Sequence, residues 1–223
     1  MGFRYSTGRL YKPKAVAGGE LSGWWNNNGA FSGCIAAYKP LGAASYAASL
    51  LDLSGTGNNA SEGVAPDWDT NVGWTGNATS WLETGVTIDS NNGYSILIKH
   101  ESPSSANYRA WCGTLVSSGY YDVAIRYANY TFYIGDASES SGSAADCRLT
   151  CLAGSGLYRL QNSNQTLQDA VVESTPGTPS GTMKLFTGYH GGTRLGNGLI
   201  MTHVAIYNIV LTKAQVQSVY DAL

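Results

Sequence analysis

The segment from Leu199 to Leu223 admits few folds. Leu199-Ile200-Met201-Thr202-His203-Val204-Ala205-Ile206-Tyr207 is apolar or β-favouring at nearly every position, and Gly196-Asn197-Gly198 opens it. A short run of this kind suits a strand covered on both faces. Asn208 breaks the run. Thr212 is a good helix N-cap, and Gln215 stands three residues on, the spacing of a capping box. Val216, Val219, Tyr220 and Leu223 then fall at i, i+3, i+4 and i+7, one apolar face of a helix. The chain therefore closes with a core strand and a short amphipathic helix laid on a layer already built.

That layer reads as sheet. Ile35-Ala36-Ala37-Tyr38 is a first core strand, and Gly93 to Lys99 is another, with Tyr94, Ile96 and Ile98 alternating. Arg109 to Leu115 and Tyr120 to Tyr127 follow, and Tyr130 to Ile134 closes a hairpin across Ala128-Asn129. Further strands are expected at Arg148 to Leu152, Gly156 to Gln161, Ala170 to Glu173 and Met183 to Gly188. Gly42 to Leu51 is Ala-rich, with Tyr46, Leu50 and Leu51 spaced for a short helix. Leu53 to Trp68 reads as irregular, with a turn at Gly55-Thr56-Gly57-Asn58-Asn59. Strands this close together, each with its own turn signal, argue for a sandwich and against βαβ units. A length of 223 residues suits one such domain. Residues 1–22, interrupted by Lys12-Pro13-Lys14 and Gly18-Gly19-Glu20, read as an N-terminal arm, and residues 23–223 as the sandwich.

Two phrases carry a family resemblance. Val204-Ala205-Ile206-Tyr207-Asn208-Ile209-Val210-Leu211-Thr212-Lys213-Ala214-Gln215-Val216 resembles the closing motif of laminin-G-like, concanavalin A-like jelly-roll domains: a core strand, a tyrosine-containing turn and a short helix. Cys34 to Ser45, Leu51-Asp52-Leu53-Ser54 and Ala65-Pro66-Asp67-Trp68 are similar to the opening of a jelly-roll subfamily found in phage virion and cell-surface proteins. Trp74-Thr75-Gly76-Asn77 and Trp81-Leu82-Glu83-Thr84-Gly85-Val86 match a further segment of it. The resemblance spans roughly residues 30 to 223 and implies an all-β jelly-roll β-sandwich with a short C-terminal helix. It leaves the activity open, because this fold hosts lectins, adhesins, glycosidases and purely structural modules.

Charged residues make up 13% of the chain and the net charge is −2. That balance argues against a nucleic-acid partner, which requires concentrated Lys and Arg. No run of 18 apolar residues occurs, so no membrane span is expected. The opening residues carry no apolar core of a signal peptide, while the Gly, Ser, Thr, Asn and Tyr content is that of an exterior protein. A virion protein, made in a host cytoplasm and ending on the particle exterior, combines the two; an extracellular surface is the alternative. Phe3, Arg4, Tyr5, Arg9 and Tyr11 give the arm the character of an element that docks on a neighbouring subunit or another virion protein. A solvated terminus is the other reading.

The chemistry-bearing residues are few. Trp24 and Trp25 stand beside the Asn-rich turn of Asn26-Asn27-Asn28. Exposed, they form a sugar-stacking platform with Asn27 supplying amide donors; buried, they are core plus turn. Tyr120, and Tyr189 with His190 in a glycine-flanked turn, are further candidates for glycan contact. Asp67, Asp69 and Asn71 alternate like the start of a calcium loop, without the Gly and distal Glu of an EF-hand; calcium is the one cofactor indicated. Glycoside hydrolysis requires two carboxylates flanking the scissile bond. The "E-x-D-x-x-E" strand of concanavalin-like glycosidases is absent, and Asp136, Glu139 and Asp146 lie in a Ser/Gly loop. His203 lies in the closing strand and reads as a core histidine, and no Gly-x-Ser-x-Gly elbow occurs. The chain is therefore expected not to be an enzyme. Cys34, Cys112, Cys147 and Cys151 read as small buried hydrophobes, with a Cys34–Cys112 bridge left open. Two functions follow: a virion structural protein, as head decoration or tail-fibre module, that assembles through its arm and adheres to glycans, or a lectin-like carbohydrate-binding module of a surface protein.

Overall fold

The computed structural model describes residues 14–15, 21–88, 93–101, 110–115, 121–126, 131–134, 137–140, 147–153, 156–161, 168–171, 181–186 and 198–223. In chain order the elements are β1 (Lys14–Ala15), β2 (Leu21–Ser22), a 3-10 turn (Trp24–Gly29), β3 (Cys34–Tyr38), α1 (Tyr46–Ser49), β4 (Ser61–Val64), β5 (Asp67–Asp69), β6 (Gly73–Thr75), β7 (Trp81–Thr87) and β8 (Ser95–Glu101). They continue with β9 (Ala110–Leu115), β10 (Tyr121–Arg126), β11 (Thr131–Ile134), β12 (Ala137–Ser140), β13 (Cys147–Ala153), β14 (Gly156–Gln161), β15 (Gln168–Val171), β16 (Thr182–Leu185), β17 (Ile200–Tyr207) and α2 (Lys213–Asp221).

Two antiparallel sheets form an all-β sandwich. One runs β12-β11-β10-β9-β16-β7-β4. The other runs β15-β14-β13-β8-β17-β6-β5, with β3 also paired to β17. The closing strand is central, as its sequence predicts. It pairs with β8 along one edge and with β6 and then β3 along the other. From Met201 to Tyr207 every residue is buried.

Its two faces serve two cores. Val204 and Ile206 face the other sheet, in a cluster with Ile96 and Ile98 of β8, Trp74 of β6, Leu82 and Val86 of β7, Cys112 of β9 and Leu185 of β16. Ala205 and Tyr207 face away from it, with Leu97, Trp25, Leu211 and the helix residues Val216 and Val219. The alternation seen from Tyr94 to Ile98 is therefore only half of the pattern: Leu97, on the opposite face, is equally buried, because α2 covers it. The helix begins where the capping box places it. Thr212 Oγ1 accepts from Gln215 N at 3.3 Å, and Gln215 Oε1 accepts from Thr212 N at 2.8 Å.

Bulges reconcile the two cores with a period of two. The β3–β17 register passes from Ala36↔Ile206 to Cys34↔Tyr207, leaving Ile35 as the extra residue. Cys34 thereby joins Ala37 on the helix side while Ala36 and Tyr38 face the other sheet. Cys34 and Cys112 thus lie in different clusters and are not bridged to one another.

Some elements differ from the sequence reading. Ala137–Ser140, around Glu139, is a strand paired with β11 and not a loop. β15 lies at Gln168–Val171, two residues earlier than expected. The end of the stretch read as an arm carries a short hairpin, with Lys14 opposite Ser22 and Ala15 opposite Leu21. Ser61–Val64 and Asp67–Asp69 each form one edge strand of the two sheets, the first inside the segment read as irregular and the second at its end. Both are short, β4 is exposed throughout and β5 buries only part of Trp68, which hides them from hydrophobic patterning.

Gly73, at the start of β6, has φ +100°, and a Cβ there would collide with the carbonyl oxygen of Met201. Both the left-handed backbone and the close approach of β17 require glycine. Gly73→Ala is expected to cost about 3 kcal/mol from backbone strain alone, read as a lowered midpoint in denaturant unfolding. An unchanged midpoint would show that β6 and β17 are not in this register.

Candidate functional site

The tryptophan pair lies on the helix side of the larger sheet. Asn26 organises its turn: Oδ1 accepts from Gly23 N and from Gly29 N, both at 3.0 Å. Asn27 (φ 46°, ψ 55°) and Asn28 (φ 56°, ψ 33°) are left-handed, a conformation Asn tolerates better than most side chains. This reversal points Trp25 inward. It is 2% exposed and its carbonyl accepts from Tyr207 Oη at 2.6 Å. Trp25 is therefore core, which corrects the reading of an exposed tryptophan pair: an indole with no accessible face cannot stack on a sugar. Trp24 is half-buried, edge-on to Trp25 at 5.9 Å and to His203 at 5.1 Å. Its buried Nε1 has no hydrogen-bond partner. Asn27 is half-buried beside it.

His203 is the core histidine its position predicts. It is 2% exposed, and Nδ1 lies 3.2 Å from Thr202 Oγ1. That hydroxyl donates to Lys99 O at 3.1 Å, so it acts as the acceptor toward the ring. Burial, with the charges of Lys99 and Lys39 adding to it, pushes the His203 pKa down to about 3.

Asp67 and Asp69 are exposed on the edge strand β5, with Asn71 in the turn that follows. Asp69 Oδ1 accepts from Asn71 N at 2.7 Å. Calcium takes about six to eight oxygens; here two carboxylates and an amide stand at an open edge, one carboxylate oxygen already turned to the backbone. Among the described residues, no group of three or more His, Cys, Asp or Glu is gathered for a metal ion. Tyr120, Tyr189 and His190, and the arm residues Phe3, Arg4, Tyr5, Arg9 and Tyr11, lie outside the described residues.

The outer face of the seven-stranded sheet carries a cluster that sequence order conceals. Along β7, Leu82, Thr84 and Val86 point into the sandwich, so Trp81 and Glu83 face outward. Register places Glu83 opposite Lys184 of β16. The Lys184 ammonium is 3.1 Å from Glu83 Oε1 and 4.2 Å from the centre of the Trp81 ring. Lys184 is 25% exposed and Glu83 43%. Beneath the indole is Gly63 of β4, where a Cβ would overlap the ring. Gly63 sits at a register shift between Glu62 and Val64, so the edge strand bends under the tryptophan. The three side chains come from positions 103 residues apart at the extreme. The only local signal was Trp81 in an otherwise alternating strand.

Among the described residues a cleft opens at one end of the sandwich, lined by Ile35, Thr87, Ile88, Gly93, Tyr94, Tyr207 and Asn208. Its volume of about 90 Å³ holds roughly three waters. Small-molecule sites run to about 300 Å³ or more, so this cleft is too small to enclose a sugar.

No family model and no curated protein matches the sequence. Solved structures do match the fold. A Trypanosoma rangeli sialidase mutant displaying trans-sialidase activity aligns with TM-score 0.55 and 11% identity, over 83% of this chain and 32% of that one. The binding domain of botulinum neurotoxin serotype D aligns with TM-score 0.56 and 12% identity, over 85% of this chain and 51% of that one. Domain 4 of AbnA, a GH43 extracellular arabinanase from Geobacillus stearothermophilus, in complex with arabinotriose, aligns with TM-score 0.54 and 12% identity, over 86% of this chain and 98% of that one. The chain spans about a third of the length of the sialidases it matches. At these identities the likeness is one of fold, and it agrees with the β-sandwich that the sequence predicts.

Proposed function

We propose that this chain is a non-catalytic carbohydrate-binding sandwich displayed on the outside of a larger assembly, a phage virion by the resemblance of its opening phrases. The observation that carries the reading is the correspondence with domain 4 of AbnA. That domain is matched over nearly its whole length, so what is shared is an entire module and not a fragment of one. Its structure contains a bound arabinotriose, and the same architecture here supports a glycan as ligand. The non-catalytic part is supported by the engagement of the acids. Glu83 is bridged to Lys184, and Asp52 is held by its own loop and by Ala37 N of β3. Both carboxylates are thus committed to partners within the fold, whereas glycoside hydrolysis requires two that flank the scissile bond.

Titration of the full-length protein with arabinotriose and a panel of neutral oligosaccharides tests the reading. Saturable binding without product release is expected. Hydrolysis of any glycan on the panel would replace the module by an enzyme, and absence of binding throughout would remove the carbohydrate ligand.

Assembly through the arm is supported by the hairpin of β1 and β2, which forms a two-stranded sheet of its own beside the sandwich. Such a small sheet has little stability alone and gains from packing on a neighbour. The mass of the full-length chain in solution is expected to be a multiple of 23.6 kDa. A monomer at micromolar concentration would withdraw the arm as an assembly element.

A further inference from the structure

We infer that Trp81, Glu83 and Lys184 form the sugar-reading site, and that it takes neutral saccharides presenting vicinal hydroxyl groups. The inference rests on the carbohydrate-binding reading and gives it a place and a chemistry.

The outer face of the seven-stranded sheet is the place. The opposite outer face, on the larger sheet, is covered over β3, β8 and β17 by α2 and the 3-10 turn. At β7 and β16 the smaller sheet is open: Gly85 and Thr87 are exposed, and Glu83 and Lys184 are partly so. The three side chains are held before any ligand arrives. Trp81 lies on Gly63, Lys184 lies on Trp81, and Glu83 holds Lys184. Preorganisation of this kind lowers the ordering cost of binding. A half-exposed ion pair on its own contributes under about 1 kcal/mol to stability, so fold stability alone gives little reason for the arrangement.

The chemistry follows from the pair. A hydroxyl group both donates and accepts. Glu83 uses Oε1 toward Lys184, and its second oxygen accepts from one hydroxyl. The ammonium has three N–H groups, one directed at Glu83, and donates to the neighbouring hydroxyl. Adjacent hydroxyls on a sugar ring present donor and acceptor at the separation such a pair brackets. Trp81, with Gly63 beneath it and Lys184 over it, fixes the position of the ammonium. The Lys184 charge is already matched by Glu83, so a carboxylated sugar has to displace Glu83 to pair with it and stands beside a like charge.

The experiment is binding of the full-length protein to immobilised neutral oligosaccharides, to sialylated and uronic-acid-containing ones, and to the neutral set after periodate cleavage of its diols. Glu83→Gln and Lys184→Met are measured alongside, the second keeping the hydrocarbon contact with Trp81. Neutral glycans are expected to bind, and periodate is expected to abolish binding. Each variant is expected to weaken it at least about tenfold, with an unchanged melting temperature. Wild-type binding that both variants retain would overturn the site and leave the carbohydrate reading standing. Preference for acidic glycans, or binding that survives periodate, would overturn the ligand class. Absence of wild-type binding to every glycan would overturn both readings together.

Discussion

Acidification from pH 6.5 to about pH 4.5 is expected to remove about 5 kcal/mol of stability. His100, on β8, is 1% exposed, and burial pushes its pKa down to about 3. His203, on β17, is lowered to about the same value by burial, then by Lys99 and Lys39. The ordinary value is 6.5. Above it both rings are neutral whether the chain is folded or not, so the stability is fully present. Below it the unfolded chain binds two protons that the folded chain refuses. Stability therefore falls as pH drops from 6.5 toward 3, by about 1.4 kcal/mol per pH unit for each ring. A domain of ordinary stability, about 5–15 kcal/mol, has little margin left at the lower end. Urea unfolding at pH 7.5, 6 and 4.5 measures the slope. His100→Gln and His203→Gln are each expected to halve it, whatever they do to stability at neutral pH. A flat profile in the unsubstituted protein would mean that the two rings reach solvent.

Asp52→Ala is expected to cost about 4 kcal/mol, more than a surface substitution normally does. One Asp52 oxygen accepts from Ala37 N at 2.9 Å, Ser54 N at 2.9 Å and Ser54 Oγ at 2.7 Å. The other accepts from Thr56 Oγ1 at 2.9 Å, Gly57 N at 3.0 Å and Asn58 N at 3.2 Å. Bonds to an ionised acceptor are among the stronger ones, and without it four backbone N–H groups lose their partner. The loop also continues the sheet past β3. Leu53 N donates to Ala37 O at 2.8 Å, Asn58 Nδ2 to Ile35 O at 2.7 Å, and Tyr38 Oη to Asn58 O at 2.5 Å. Losing Asp52 therefore loosens the strand that pairs with β17. Asp52→Asn keeps one good acceptor and is expected to lose about half as much. Thermal unfolding of the two variants gives the order; an Asp52→Ala protein as stable as the parent would show that the loop is held by its turns alone.

Asp52 also illustrates what could be read early. Gly55 and Gly57 marked a turn, and both have positive φ. That a single carboxylate gathers the turn and ties it to β3 depends on Ala37, 15 residues away. The tryptophans divide in the same way. Their presence beside turn residues was plain, but burial of Trp25 requires α2 and Tyr207, more than 180 residues on. The cluster of Trp81 with Lys184 requires two strands to lie in one register. Periodicity reports which face of an element is apolar and is silent on what else will cover that face.

The closing strand and helix were determined by local chemistry. An unbroken apolar run, a Thr–Gln capping box and four apolar residues on one helical face act within a turn or two of the chain, and the structure reproduces each of them. Turn glycines and the alternation of β8 belong to the same class. Tertiary structure decided the rest: which side of β17 received α2, where bulges turned Cys34 from one core to the other, that Ser61–Val64 and Ala137–Ser140 became strands, and that Gly63, Trp81, Glu83 and Lys184 met on one face. The physical reason is range. Caps, turns and amphipathic faces are settled by neighbours within a few residues, whereas pairing register and burial are settled by whichever distant strand or helix arrives alongside.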